Sequence, residues 1–163
     1  MKKMNNKGFS LVELIVVVLI MAIIAVALAP QVMKCVENSR KSTDIENYNA
    51  LVEACNVAST NEDFLKDIGS TTVTVTMTTT STTITQDTTN AKLDPILNNT
   101  LPGWGTTKIT GAWSGETINT ETISGNSVTS GTANFGSSFV VSIKKSANGI
   151  IVAKTTAPRK NFS

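Results

Sequence analysis

The chain has 163 residues, of which 40% are hydrophobic and 16% are charged, so it can hold one small domain and one special segment but not a two-domain enzyme. It contains no histidine, the commonest general base, and its two cysteines are too few for a structural zinc site. We therefore predict no catalytic residue, no bound metal and no cofactor. The net charge of +2 owes its sign to Lys2, Lys3 and Lys7, and the nearly neutral remainder lacks the basic surface that is typical of nucleic-acid binding.

The N-terminal part of the chain contains an unbroken apolar run over residues 14–29. Counted from Phe9, a helix over this segment is roughly 32 Å long at about 1.5 Å per residue, which is enough to cross a membrane. A secretory signal peptide, cleaved after the Ala-Leu-Ala of residues 27–29, is one explanation, and a plain membrane anchor is another. Pro30 is unfavourable directly after such a cleavage site, and neither explanation requires a costly carboxylate, Glu13, at the start of the apolar run.

The residues around Gly8 form a specific motif. In order they read Lys7-Gly8-Phe9-Ser10-Leu11-Val12-Glu13-Leu14, and the apolar run follows. This segment resembles the N-terminus of a type IV prepilin with a class III leader peptide of the short, type IVa-like kind. The resemblance implies that a prepilin peptidase cuts after Gly8, removes residues 1–8 and N-methylates Phe9. The apolar segment would then stay on the mature protein.

By the same resemblance, Glu13 is an assembly residue that pairs with the new α-amino group of Phe9 on a neighbouring subunit. Both charges are costly in apolar surroundings unless they are paired, so the addition of a subunit neutralises both. An incidental or pore-lining carboxylate is the alternative for Glu13. Pro30 has no backbone N–H to donate to Val26, so we expect the helix to kink there, as family stems do at the matching point, or to end.

Beyond Pro30, apolar residues at spacings near three, four and seven predict an amphipathic continuation of the helix. These residues are Val32, Val36, Ile45, Tyr48, Val52 and Cys55. The predicted organisation is therefore a removed leader (residues 1–8), a hydrophobic transmembrane or filament-core helix (9–30), its amphipathic continuation (31–58) and a globular β-rich head (59–163).

The two cysteines lie on this predicted helix. Cys35 and Cys55 would be about 30 Å apart, too far for a disulfide within one chain, so we expect two buried small side chains, with a bridge between subunits as the alternative. No cysteine follows Cys55, whereas many pilins close a C-terminal loop with a disulfide. This difference favours an anaerobic or weakly oxidising host, such as a Gram-positive anaerobe.

Two short helical segments are predicted after the long helix. Ser59 and Glu62 have the spacing of a capping box, which predicts a short helix ending at Gly69. Asp94 and Pro95 have the pattern of an N-cap and a first helical residue, and the residues that follow predict only about one turn.

The remainder is predicted to be β structure. Alternating apolar residues over 72–78 predict a strand, followed by a loop or an edge strand, although a disordered, O-glycosylated loop is the alternative for this threonine-rich stretch. Asn148-Gly149 favours a type I′ hairpin turn. Other strand-like runs are Thr106–Trp113, Glu116–Ser124, Phe135–Lys145 and Gly149–Thr156. The fold class is α+β, with a long N-terminal α-helix packed on an antiparallel sheet of four or so strands, which is the pilin fold that the resemblance also implies.

The resemblance implies a non-enzymatic, structural subunit of a type IV pilus, which polymerises through its N-terminal helix into a surface filament for adhesion, twitching motility or biofilm formation. The implied partners are further copies in a helical homopolymer, the prepilin peptidase and methyltransferase, an inner-membrane assembly platform with its ATPase, minor pilins, the membrane before assembly, and a host or abiotic surface. The implied location is the cytoplasmic membrane, as a single-pass protein, and then the extracellular pilus.

A complete stem with Glu13 fits a major pilin, although the sequence does not distinguish major from minor subunits. Two alternatives stay open. One is a pseudopilin of a type II secretion or competence system. The other, from a different class, is a membrane-anchored or secreted β-rich binding domain.

Overall fold

The computed structural model of the protein describes residues 10–85 and 90–156. Over these residues the elements in chain order are α1 (Leu11–Ala58), α2 (Glu62–Ile68), β1 (Thr72–Thr78), β2 (Thr82–Thr85), α3 (Asn90–Thr100), a 3₁₀ turn (Trp104–Thr106), β3 (Thr117–Ser124), β4 (Ser127–Asn134), β5 (Ser138–Ser146) and β6 (Gly149–Thr156). The chain divides into two compact units, which we call the stem unit (Met1–Glu37) and the head unit (Asn38–Ser163). The predicted α+β class is confirmed.

Helix α1 ends at Ala58, as predicted, and its predicted first residue, Phe9, lies outside the described residues. In the head unit, α1 buries one stripe of side chains at alternating spacings of four and three, which places them on a single helical face. The members of this stripe are Asp44, Tyr48, Leu51, Cys55 and Ala58. One face of the head-unit helix therefore packs in the core.

The strands form one antiparallel sheet with the order β2-β1-β5-β6-β3-β4. The described residues thus contain six strands where the sequence predicted four or so. The loop or edge strand expected after β1 is β2, which lies at one edge. Strand β4, at the other edge, was missed because all eight of its residues are exposed, so its sequence shows no apolar alternation.

The core lies between the sheet and the head-unit part of α1. On β1 every second residue is buried, and on β5 the same alternation buries Phe139, Val141 and Ile143. The ring of Tyr48 stacks on Phe139 with 5.0 Å between ring centroids, and its hydroxyl donates to the Val140 carbonyl at 2.8 Å. Burial of each large apolar side chain stabilises the fold by about 1.5–3 kcal/mol, so this face holds helix and sheet together.

The strand predicted over Thr106–Trp113 is not formed. Its backbone donors go elsewhere: the N–H groups of Thr110 and Gly111 donate to the Asp44 carboxylate at 2.8 and 2.7 Å. The N–H of Ile109 donates to the Thr78 carbonyl at 2.8 Å. Because a buried carboxylate takes these donors, the segment cannot use them in a ladder with a neighbouring strand.

Helix α2 ends before Gly69, as predicted, but its N-cap is Asn61 and not Ser59. The Asn61 side chain accepts hydrogen bonds from the backbone N–H groups of Asp63 and Phe64 at 3.0 and 3.1 Å. The Ser59 hydroxyl instead donates to the Asn56 carbonyl at 2.6 Å. Ser59 therefore closes the last turn of α1, and the next helix begins two residues later than the capping-box pattern indicated.

Helix α3 is longer than the single turn predicted from Asp94 and Pro95, which lie inside it. The reason is packing: Leu93 and Leu97, four residues apart, are both fully buried in the core. Their burial outweighs the loss of one helical hydrogen bond at the proline.

The final hairpin forms between the two predicted strands, with its turn one residue earlier than expected. Ser146 pairs with Gly149, so the two turn residues are Ala147 and Asn148. Gly149 then begins β6 with a φ of 132°, a conformation that side-chain-bearing residues rarely adopt. The conformational freedom of Gly149 is therefore used at the first residue of β6 and not within the turn.

Candidate functional site

The candidate site is the N-terminal segment that contains Gly8, Phe9 and Glu13. Gly8 and Phe9 lie outside the described residues, so their proposed roles rest on the sequence motif. Glu13 lies in the first turn of α1 and is exposed. A carboxylate at this end of a helix interacts favourably with the partial positive charge of the free backbone N–H groups.

Beyond Glu13, α1 presents an apolar surface on every side. Its large apolar side chains in the stem unit are all exposed, with exposed fractions from 43% for Val17 to 77% for Val26. No charged residue occurs between Glu13 and Lys34. A helix that is apolar all round is stable only in lipid or packed against other apolar surfaces, and α1 is long and apolar enough to cross a membrane.

Pro30 lies inside α1 and does not end it, because the helix continues to Ala58. Of the two outcomes expected for this proline, a helix end is therefore wrong. The kink stays a prediction, since the missing N–H of Pro30 leaves the Val26 carbonyl without its usual helical donor.

The two cysteines differ in their surroundings. Cys55 is fully buried, as predicted, and burial raises the pKa of its thiol to about 12. Cys35 is exposed, so the expectation that it would be buried is wrong in a single chain. Both are free thiols, as their separation on one helix required.

The head unit contains a polar cluster that sequence reasoning missed. Its centre is Asp44, a fully buried carboxylate on the core face of α1. Asp44 accepts hydrogen bonds from the Thr110 N–H and hydroxyl at 2.8 Å each, from the Gly111 N–H at 2.7 Å and from the Trp113 indole N–H at 2.9 Å. The sequence did contain a sign of this cluster: Asp44 lies four residues before Tyr48, which places a carboxylate on an otherwise apolar helical face.

An ion pair lies beside this cluster. Lys41 donates to Glu116 at 3.2 Å, and its ammonium also lies 5.5 Å from the centroid of the Trp113 ring. Both charged side chains are largely shielded from solvent, with 12% and 14% exposed. Together with Asp44 they bind the segment from Thr110 to Glu116 to one face of the helix.

Burial also acts on Tyr48. Its hydroxyl is enclosed in the core, and this desolvation raises the pKa of the phenol well above its ordinary value of 10.0. Tyr48 therefore stays protonated to a higher pH than a free phenol, and its O–H remains available for the bond to the Val140 carbonyl.

Comparison with known families identifies the N-terminal segment. Residues 3–29 match the family model described as the prokaryotic N-terminal methylation motif. No curated protein and no solved structure matches the chain significantly. The matched residues run through the leader, the start of α1 and most of its apolar surface. The chain therefore carries the class III leader of type IV pilins and pseudopilins, joined to a long N-terminal helix, and its helix and antiparallel sheet have the α+β arrangement of the pilin fold.

Proposed function

We propose that the chain is the precursor of a type IV pilus subunit. The observation that carries the proposal is the methylation motif over residues 3–29, which is continuous with an exposed apolar helix. A prepilin peptidase cuts between Gly8 and Phe9 and N-methylates Phe9. Because this cut precedes the apolar run, the run stays on the mature subunit, residues 9–163.

Glu13 and the amine of Phe9 direct assembly in this proposal. Each charge is unfavourable in an apolar environment on its own, and a new subunit neutralises both when its Glu13 meets the Phe9 amine of its neighbour. The pairing also sets the axial register of the two helices, because only one relative position brings the charges together. The exposed position of Glu13 in the first turn of α1 supports this role.

The apolar surface of the stem unit supplies the free energy that favours filament assembly. In water, packing this surface against other stems is favourable by about 25 cal/mol per Å² of apolar area buried. In lipid the same helix is already in apolar surroundings, so most of this gain disappears. Extraction from the membrane therefore needs an energy source, which we assign to an assembly platform with its ATPase.

The parts of the chain take separate tasks. Residues 9–30 anchor the precursor in the cytoplasmic membrane and later form the filament core, with a kink at Pro30. Residues 31–58 continue the helix into the head, and residues 59–163 complete the head and face the filament exterior. The mature filament is extracellular and serves adhesion, twitching motility or biofilm formation, with minor pilins as further partners.

A test of processing is mass spectrometry of the N-terminal peptide of protein sheared from the cell surface. An N-methylated Phe9 at the start supports the proposal. A start at Pro30 would mean that residues 27–29 form a signal-peptidase site, and the chain would be a secreted β-rich domain. If the sheared fraction lacks the protein and the Phe9-methylated chain is found only in the cell envelope, the chain would instead belong to a pseudopilus.

A test of assembly is the substitution Glu13→Ala. Loss of one partner from a buried ion pair costs about 3–5 kcal/mol, so we expect filament yield to fall by about 100-fold or more, with normal cleavage at Phe9. Glu46→Ala, which removes an exposed carboxylate further along α1, is the matched control and should assemble normally. Normal filament yield from Glu13→Ala would reject the assembly role.

A further inference from the structure

Strand β4 forms one edge of the sheet. On one side it pairs with β3 through eight consecutive residue pairs, from Thr117 with Asn134 to Ser124 with Ser127. On its other side β4 has no partner strand among the residues that the structure describes. A free strand edge presents backbone N–H and C=O groups that can pair with another strand.

The usual protection of such an edge is missing from β4. Proteins shield edge strands with charged side chains, prolines, bulges or short length. Strand β4 has the sequence SVTSGTAN, without charge or proline, and its register with β3 is unbroken. At the opposite edge, β2 has only four residues, and its Thr82 side chain is buried and donates to the Thr107 carbonyl at 2.7 Å. The open edge is therefore β4.

The hairpin geometry shows which backbone groups face outward. Ser124 and Ser127 enclose a two-residue turn, so they form a hydrogen-bonded pair, and the bonding direction alternates along the strand from there. The N–H groups of Val128, Ser130 and Thr132 therefore point to the free side. The charged residue of β3, Glu121, accepts a hydrogen bond from the Lys154 N–H at 3.1 Å and so is held toward β6.

We propose that β4 pairs antiparallel with β4 of a second copy that belongs to a neighbouring filament, an inference that rests on the proposed filament function. A two-fold axis through the middle of the strand brings the two edges together antiparallel, so one surface serves as both partners. Both edges are uncharged and rich in Ser and Thr, which pair favourably across strands, and no like charges meet.

The size of the contact explains why the partner lies in another filament. An eight-residue strand is about 27 Å long, and with a sheet thickness of about 10 Å it offers roughly 270 Å² per copy. A stable pair of free proteins usually needs about 800 Å² per partner. One contact is therefore too weak alone, but the contact repeats along each filament and the contributions add. The expected result is lateral bundling of filaments.

Two substitutions weaken this edge by different means. Thr132→Lys places a charge on the edge strand, and Ser130→Pro removes one outward N–H while leaving the bonds to β3 in place. Thr79→Lys, in the exposed turn between β1 and β2, adds the same charge away from β4 and is the matched control. The proline variant separates loss of hydrogen bonding from a general charge effect.

The experiment measures bundling of filaments sheared from cells that express the full chain, by low-speed sedimentation and negative-stain electron microscopy. Wild-type and Thr79→Lys filaments should bundle and pellet, at low and at high NaCl alike, because the contact is uncharged. In Thr132→Lys and Ser130→Pro the pelleted fraction should fall by about tenfold or more, with unchanged filament number.

The other outcomes separate the two proposals. Wild-type filaments that stay single, or variants that bundle like wild type, overturn the β4 contact and leave the pilus function intact. Bundling that disappears when a second protein is washed from the filaments shows that a different partner occupies the edge, and also overturns the proposal. Absence of any filament from wild-type cells overturns the filament function and the bundling together.

Discussion

Asp44 is the residue on which the head unit depends most clearly. A carboxylate without water is stable only when its lone pairs accept hydrogen bonds, and backbone, hydroxyl and indole donors from the segment Thr110–Trp113 meet this need. Because the N–H groups of Thr110 and Gly111 donate to Asp44, they do not pair with a neighbouring strand. The charge of one helical residue thus determines the path of a loop that is distant in sequence.

We expect Asp44→Asn to lower the free energy of unfolding by about 3 kcal/mol. The amide offers one accepting oxygen, and its NH₂ group faces backbone and indole N–H groups that then lack a partner. The measurement is urea unfolding of the full chain in detergent, followed by tryptophan fluorescence. Glu53→Gln, an exposed carboxylate on the same helix, is the control and should change stability by less than about 0.5 kcal/mol. Equal effects of the two substitutions would contradict the importance of the cluster.

Gly111 is required by close approach to the helix. A Cβ at this position would lie 2.7 Å from Cγ of Lys41 and 3.1 Å from its backbone nitrogen. We expect Gly111→Ala to destabilise the head by about 2 kcal/mol, because the helix backbone cannot move away. Gly136→Ala, where nothing lies within 4 Å, should be neutral or slightly stabilising in the same unfolding measurement.

Two substitutions at the junction between α1 and α2 test which residue caps the second helix. Removal of an N-cap side chain costs about 1 kcal/mol, so we expect that loss from Asn61→Ala. Ser59→Ala removes one exposed bond at the end of α1 and should cost less than about 0.5 kcal/mol. Thermal unfolding of the two variants compares them directly, and a larger loss from Ser59→Ala would restore the capping box as the correct assignment.

The elements also differ in how they are stabilised. Strands β1 and β5 alternate buried and half-buried residues along most of their length, so apolar burial holds them in the sheet. Strand β4 buries none of its residues and is held in the sheet by its pairing with β3. In the proposed contact β4 can pair with a second copy because its outward backbone groups have no partner strand among the described residues, whereas β1 and β5 each have a neighbouring strand on both sides.

For the whole head unit, two buried acids predict lower stability at high pH. Burial raises the pKa of the Cys55 thiol from 9.0 to about 12 and also raises the pKa of the Tyr48 phenol above its ordinary 10.0. Above pH 9 the unfolded chain therefore releases protons that the folded chain retains, so the free energy of unfolding falls as pH rises. At pH 7 and below, both groups are protonated in both states and contribute no pH dependence.

The measurement is the free energy of urea unfolding at pH 8, 9 and 10. The double variant Tyr48→Phe with Cys55→Ala is less stable at every pH because it loses a hydrogen bond and leaves a cavity. However, its stability should fall less steeply with pH than that of the wild type. Identical slopes for the two proteins would show that other groups control the alkaline response.

Features that depend on local pattern could be predicted from the amino-acid sequence. The apolar run, the helix end at Ala58, the strands β1 and β6 and the motif around Gly8, Phe9 and Glu13 were all readable, because periodicity and motif spacing are properties of neighbouring residues. Other features became visible only in the folded chain. Tertiary contacts place Asp44 among backbone and indole donors, extend α3 around two buried leucines and pair the fully exposed β4 with β3. These outcomes depend on contacts between residues far apart in the chain, and local preference cannot encode them.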